Sequence, residues 1–279
     1  INLVGDTVNF RVDFADAAGN SGSVDNTTDN SLVEVDLEAP FILYDNITST
    51  NQDPNWAKYG DNVTLSFSTS EPIQDPSDNI TIDGLTDIVV VGSDNLTEWT
   101  ATGQVASNAA GMANYSISVK DLTGNVATPV TSTTSINLDT ESPSLSDVVL
   151  SSSNTTNSSY AKAGDNLTLT FNASELIETP LVTLAGDNLS VQDTNSGAGT
   201  SWQATYTVQD GDNGTVAFSI QYQDQAGNTD DNVTTTDLGN LINIDTAKPS
   251  VIPSSVTIAS SNSVPAVQGL KLSLIHISE

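Results

Sequence analysis

Three segments share one acidic turn. They are "FADAAGNSG" around Asp16, "VKDLTGNVA" around Asp121 and "YQDQAGNTD" around Asp224, each reading Asp-x-x-Gly-Asn at intervals of about a hundred residues. Carboxylates that recur in phase are raw material for holding a hard cation through oxygen. Nucleophilic chemistry is poorly supplied by comparison. The chain has no cysteine, and its one histidine, His276, lies in the last eight residues, so Ser-His and Cys-His relays lack their parts. Paired carboxylates can hydrolyse glycosides. Here, however, the acids fall at matching points of a repeat, which an active site would break rather than follow. No enzymatic activity is expected.

Other landmarks repeat in the same order. "WAKYGDNVTLSF" (56–67) matches "YAKAGDNLTLTF" (160–171), "SEPI" at Ser70 answers "SELI" at Ser174, and "EWTAT" around Trp99 answers "SWQAT" around Trp202. "EVDLEAP", "NLDTESP" and "NIDTAKP" close at Pro40, Pro143 and Pro249. Several independent landmarks with one order and one spacing make the chain a tandem array.

Within each unit the apolar period is two. Val63, Leu65 and Phe67 alternate with polar residues, as do Leu167, Leu169 and Phe171. Val8, Phe10, Val12 and Phe14 correspond to Val216, Phe218, Ile220 and Tyr222, and the middle unit has Tyr115, Ile117 and Val119. Such alternation marks half-buried antiparallel strands, and short strands between Gly, Asn and Asp clusters predict an all-β sandwich of about seven strands per unit. No amphipathic helix is expected. The landmarks divide the chain into the last strands of a first unit (1–36), complete units at 37–138 and 139–245, and the start of a fourth at 246–271. The tail "LSLIHISE" (272–279) leaves the pattern and resembles a translated sequencing-library adapter, so the coding sequence is expected to stop near Lys271, and His276 carries no functional weight.

Sandwich connectivity says where the acids go. The incoming linker, the loop after the second strand and the loop before the last strand share one pole. For 37–138 that pole gathers Asp36, Glu71 and Asp121; for 139–245 it gathers Asp139, Glu175 and Asp224. Neighbouring carboxylates repel by about 1–4 kcal/mol per pair at surface dielectrics, and a hard divalent cation removes that cost. Calcium suits the set best, because magnesium wants stricter octahedral geometry and zinc prefers nitrogen or sulfur. Each acid alone also reads as an ordinary turn former or linker residue. Asn125 and Asn228 are read as turn residues that supply positive φ with Gly124 and Gly227, rather than as ligands. Glu38 and Glu141 are at most auxiliary, since Ala247 takes that place in the third linker. Asp210 and Asp212 lack the closing Glu of a calcium loop and read as a solvated turn.

The charge bounds the partners. Asp and Glu total 35 against 6 Lys and Arg, a formal charge of -29. That field repels nucleic acid and anionic membrane and draws cations, and no stretch is long enough for a membrane-spanning helix. Trp99 and Trp202 are read as core rather than as a sugar-stacking platform, and Trp56 and Tyr160 as covers of a sandwich edge. Lys58 and Lys162 are read as edge charges that discourage aggregation. The many Asn-x-Ser/Thr sequons, Asn62 and Asn166 among them, follow from an Asn/Thr-rich composition.

Taken together, "YAKAGDNLTLTF", "SEPI", "DQAGN" and "NIDTAKP" resemble the bacterial immunoglobulin-like repeats of large surface adhesins and biofilm-associated proteins, over nearly all of 1–260. Leu176 in place of the proline at Pro72, and Leu-Thr after Asp121, depart from the pattern without removing a carboxylate. The resemblance implies tandem immunoglobulin-like sandwiches in an extracellular, cell-surface stalk. It also implies calcium at the junctions, on Asp36, Glu71 and Asp121, then Asp139, Glu175 and Asp224. The expected partners are calcium ions and neighbouring repeats of the same chain. A glycan- or protein-binding module is the alternative, followed by a surface-layer or filament subunit.

Overall fold

The computed structural model describes residues 8–252. The proposed adapter tail, with His276, lies outside the described residues, as does most of 246–271. Within them the structure is built of strands, with one short 3-10 turn at Ser77–Asn79 and no α-helix.

In the first complete unit Ile42–Ser49, Asn62–Thr69, Glu98–Val105 and Leu85–Gly92 lie side by side, all antiparallel. Facing them, Ile80–Ile82, Tyr115–Ile117 and Val130–Thr131 form a second sheet centred on Tyr115–Ile117. Numbered along the chain, and leaving aside short flanking pairs, these strands run 1-2-5-4 against 3-6-7. That is the order of an immunoglobulin-like sandwich. One flanking set closes the unit: Asn137–Asp139 runs parallel to Trp56–Ala57 and antiparallel to Ala110–Met112.

The second unit repeats the plan. Leu145–Ser152, Asn166–Ala173, Ser201–Thr207 and Val191–Asp193 form one sheet, and Leu181–Leu184 pairs with Phe218–Gln221 opposite. Asn243–Asp245 closes it, parallel to Tyr160–Ala161 and antiparallel to Asn213–Thr215. Its seventh strand is reduced to a single bridge between Ile220 and Val233.

The period-two residues do the packing. Val63, Leu65 and Phe67 point inward and are fully buried, and their cross-strand partners are Gly103, Ala101 and Trp99. Leu167, Leu169 and Phe171 lie opposite Tyr206, Ala204 and Trp202. Large side chains face small ones at some positions and aromatic rings at others, so the layers interdigitate. Each unit closes its own apolar cluster, and the two clusters share no residue.

Ahead of them, Val12–Ala15 pairs with Ser21–Val24 around the Asp16 turn. Val8, Phe10, Val12 and Phe14 are 50, 40, 51 and 59% exposed, whereas their counterparts in the second unit are buried. The difference is one of context, because no sheet faces this hairpin among the described residues.

Separate cores make a separable prediction. Phe171→Ala removes a fully buried ring and should cost about 3–5 kcal/mol. Hydrogen exchange followed by mass spectrometry should show protection falling across 145–245 and holding across 42–139. An equal loss in both units would contradict two closed cores.

Candidate cation sites at the unit junctions

Each acidic turn is tied by its own aspartate. Asp121 Oδ1 accepts from the backbone N–H groups of Thr123, Gly124 and Asn125 at 2.8, 2.6 and 2.9 Å and from the Thr123 hydroxyl at 2.8 Å. Its Oδ2 accepts from Asn125 Nδ2 at 2.7 Å. Asp224 takes the Asn228 N–H and Nδ2 at 2.8 Å each. Asp16 is held alike, by Ala18 N, Asn20 N and Asn20 Nδ2. The chain reverses through a left-handed glycine, φ +104 at Gly124 and +80 at Gly227, a region that Gly enters without a Cβ clash. The asparagines do not share that conformation. Asn125 and Asn228 are absent from the positive-φ residues, and their work is done by their side chains instead.

Those side chains reach the linker. Asn125 Nδ2 donates to the Asp36 carbonyl at 3.2 Å, and Asn228 Nδ2 to the Asp139 carbonyl at 3.0 Å. Two further ties complete the pole. A bridge joins Ile73 to Asp121, and another joins Ile177 to Asp224, setting the loop after the second strand against the turn. Ser70 accepts at Oγ from Phe41 N while its own N–H donates to the Phe41 carbonyl; Ser174 and Ser144 repeat the exchange.

The result is convergence. Asp36, Glu71 and Asp121 each bring a carboxylate oxygen within 4.8 Å of the others, and Asp139, Glu175 and Asp224 do the same. Asp121 and Asp224 are 1 and 2% exposed, and the other four acids are half-buried. Asp139 belongs to both units: its backbone lies in the first unit's closing strand, and its carboxylate meets the second unit's acids. Glu38 and Glu141 are exposed, and their N–H groups donate to Asp36 and Asp139 at 3.1 Å.

The electrostatics follow from this crowding. Burial, then the charges of Asp36, Asp121 and Glu38, push the Glu71 carboxyl up. Burial, then Asp139, Asp224 and Glu141, do the same to Glu175. Asp139 is raised chiefly by burial, against the N–H of Glu141. Burial also pushes Asp121 upward, but the donors from Asn125, Thr123 and Gly124 outweigh it and bring it down to about 2. One member of the first cluster is therefore firmly anionic and another carries the strain of the like charges.

The remaining residues sort by packing. Trp99 and Trp202 are core, each indole N–H donating to a backbone carbonyl, of Leu96 and Gly199. Asp212 accepts from the Tyr206 hydroxyl at 2.6 Å, so that turn is fastened to the sandwich rather than merely solvated. Lys58 is not an edge guard. Its Nζ crosses to the second unit and donates to the Gly227 carbonyl at 2.6 Å, beside Asn51 Nδ2 on the Ala226 carbonyl at 2.9 Å. Lys162 stays exposed.

No protein-family model matches the chain, and no curated protein matches it. Among solved structures, the chain is similar to Rst D1–D2 at 16% identity, TM-score 0.36, covering 75% of this chain and 100% of that one. The Ig1-2 module of the Drosophila receptor protein tyrosine phosphatase DLAR matches at 8% identity, TM-score 0.26, over 76 and 100%. The D00–D0 domain of intimin matches at 13%, TM-score 0.27, over 72 and 100%. At these scores the fold rests on the strand order itself, which is that of tandem immunoglobulin-like β-sandwiches.

The shifted carboxyls set a pH dependence. Glu71 and Glu175 are raised from 4.5 and Asp139 from 3.8, so their contribution is full below those values and is lost as pH rises through the folded ones. Asp121 works oppositely, contributing above 3.8 and failing as pH falls toward about 2. In chelator, the melting temperature should climb as pH drops from neutral toward the ordinary carboxylate range, then fall at stronger acid. Glu71→Gln combined with Glu175→Gln should flatten the climb. A melting temperature that only falls on acidification would contradict the clustering.

Proposed function

We propose that these units are stalk repeats of a secreted, cell-surface adhesin or biofilm-matrix protein, stiffened by calcium at their junctions. One observation carries this: two repeat-equivalent sets of three carboxylates, each assembled from a linker and two distant loops. The donor set fits calcium. Every candidate ligand is a hard oxygen, and the ties through Ser70, Asn125 and the Ile73 bridge hold the three acids together by contacts independent of a metal. Like charges gathered by such ties, with two of the three in each set half-buried and the third buried, are matched by a divalent cation and solvent. Asp139 would then link the first unit's strand to the second unit's pole through one ion.

Calcium sites of extracellular modules work at about 10⁻⁴–10⁻³ M, a range suited to a protein outside the cell. A mechanical role also agrees with the rest of the surface. The net charge is -29, the tryptophans that would stack on sugar are buried, and no helix among the described residues is long and apolar enough to cross a membrane. The acids follow the repeat, so no catalysis is assigned.

Calorimetric titration of the full chain with calcium tests the assignment. Two sites are expected. Glu175→Gln, which removes a half-buried acid outside the hydrogen-bonded turn, should weaken one of them at least about tenfold, or ~1.4 kcal/mol, and leave the other unchanged. Binding that is absent, or indifferent to both Glu71→Gln and Glu175→Gln, would refute calcium at these positions.

A further inference from the structure

The contact between the complete units has a counterpart at the far end of the second. In the first unit Asn51 Nδ2 bonds Asp61 Oδ2 at 2.8 Å, and Lys58 N bonds the same oxygen at 2.9 Å. Asn51 N rests on Ser49 Oγ at 3.0 Å. This frame presents two donors, Asn51 Nδ2 and Lys58 Nζ, to the Ala226 and Gly227 carbonyls of the following Asp-x-x-Gly-Asn turn.

The second unit builds the same frame. Asn154 Nδ2 bonds Asp165 Oδ2 at 2.7 Å, Lys162 N bonds it at 2.9 Å, and Asn154 N rests on Ser152 Oγ at 3.2 Å. No hydrogen bond crosses to it from another unit among the described residues. Asn154 Nδ2 makes no second bond and Lys162 Nζ makes none among the described residues. The burial records the difference, since Lys58 is half-buried beneath the second unit while Lys162 is exposed.

We infer that Asn154, Lys162 and Asp165 form a docking surface for the Asp-x-x-Gly-Asn turn of a further unit of the same kind. Asp165 pre-orients the frame, while the amide and ammonium groups clasp two backbone carbonyls. Backbone acceptors make the clasp tolerant of sequence. The three turns differ at their second and third positions, Ala-Ala, Leu-Thr and Gln-Ala, yet all share the fastening aspartate and the Gly-Asn end. The inference is independent of any cation, because the clasp uses carbonyls and not carboxylates of the incoming turn.

Lysine acetylation read by mass spectrometry tests it in two proteins: the full chain, and a chain in which a second copy of residues 140–245 follows Asp245. In the full chain Lys58 should react several-fold more slowly than Lys162. In the extended chain Lys162 of the original unit should slow to the rate of Lys58, while Lys162 of the added copy stays fast. An unchanged Lys162 rate, with the added copy melting cooperatively, would overturn the proposal. Repeating the comparison in calcium and in chelator separates the two accounts. Slowing in both conditions supports the clasp and counts against calcium control of the joint. Slowing in calcium alone supports calcium control of the joint and overturns a clasp that forms independently of the cation. Slowing in neither removes the clasp, whatever the calorimetry shows.

Discussion

The structure depends on how two buried aspartates are satisfied. Asp121 and Asp224 lie at 1 and 2% exposure in a chain with 35 acids and only 6 basic residues, and neither is in an ion pair among the described residues. Backbone N–H groups and one asparagine do that work, as buried charge requires. Because the donors come from the residues just after the aspartate, the turn is held closed by its own carboxylate. A rigid turn then becomes an anchor. The linker is pinned to it by Asn125 or Asn228, and the loop carrying Glu71 or Glu175 by a neighbouring bridge.

That arrangement explains how nearest-neighbour architecture emerges from a local motif. The turn faces three ways: inward to its sandwich, across to the linker acids, and back to the preceding unit through the Ala226 and Gly227 carbonyls. Each unit keeps a separate apolar core, and hydrogen bonds from Asn51 and Lys58 to backbone carbonyls cross between the units at the pole. Arrays of this type derive their stability from unit and interface contributions in sequence, and between the complete units the bonds of Asn51 and Lys58 to the Ala226 and Gly227 carbonyls belong to the interface part.

Much of the fold was legible in the sequence because it follows from periodicity. Alternation placed Val63, Leu65 and Phe67 inward, and repeat equivalence marked Trp99 and Trp202 as core. The convergence of acids followed from connectivity, since strands that return to one pole bring their loops with them. The parts that escaped depend on partners far away in the chain. Asn125 and Asn228 look like turn formers until the linker carbonyl beside them is seen, and Ser70 and Ser174 look like mere loop polarity until their clip to the first strand is seen. Lys58 gave the least warning, for its acceptor is in another unit. Its one signal was recurrence as Lys162, which edge protection explained equally well.

Small-angle scattering of the full chain, in calcium and then in excess chelator, tests the central claim most directly. A cation holding Asp139 to Glu175 and Asp224 should give an extended, narrow distribution of dimensions that becomes shorter and broader when the ion is withdrawn. Profiles that superimpose in the two conditions would show that the hydrogen-bonded turns alone set the joint, and that calcium does not stiffen it.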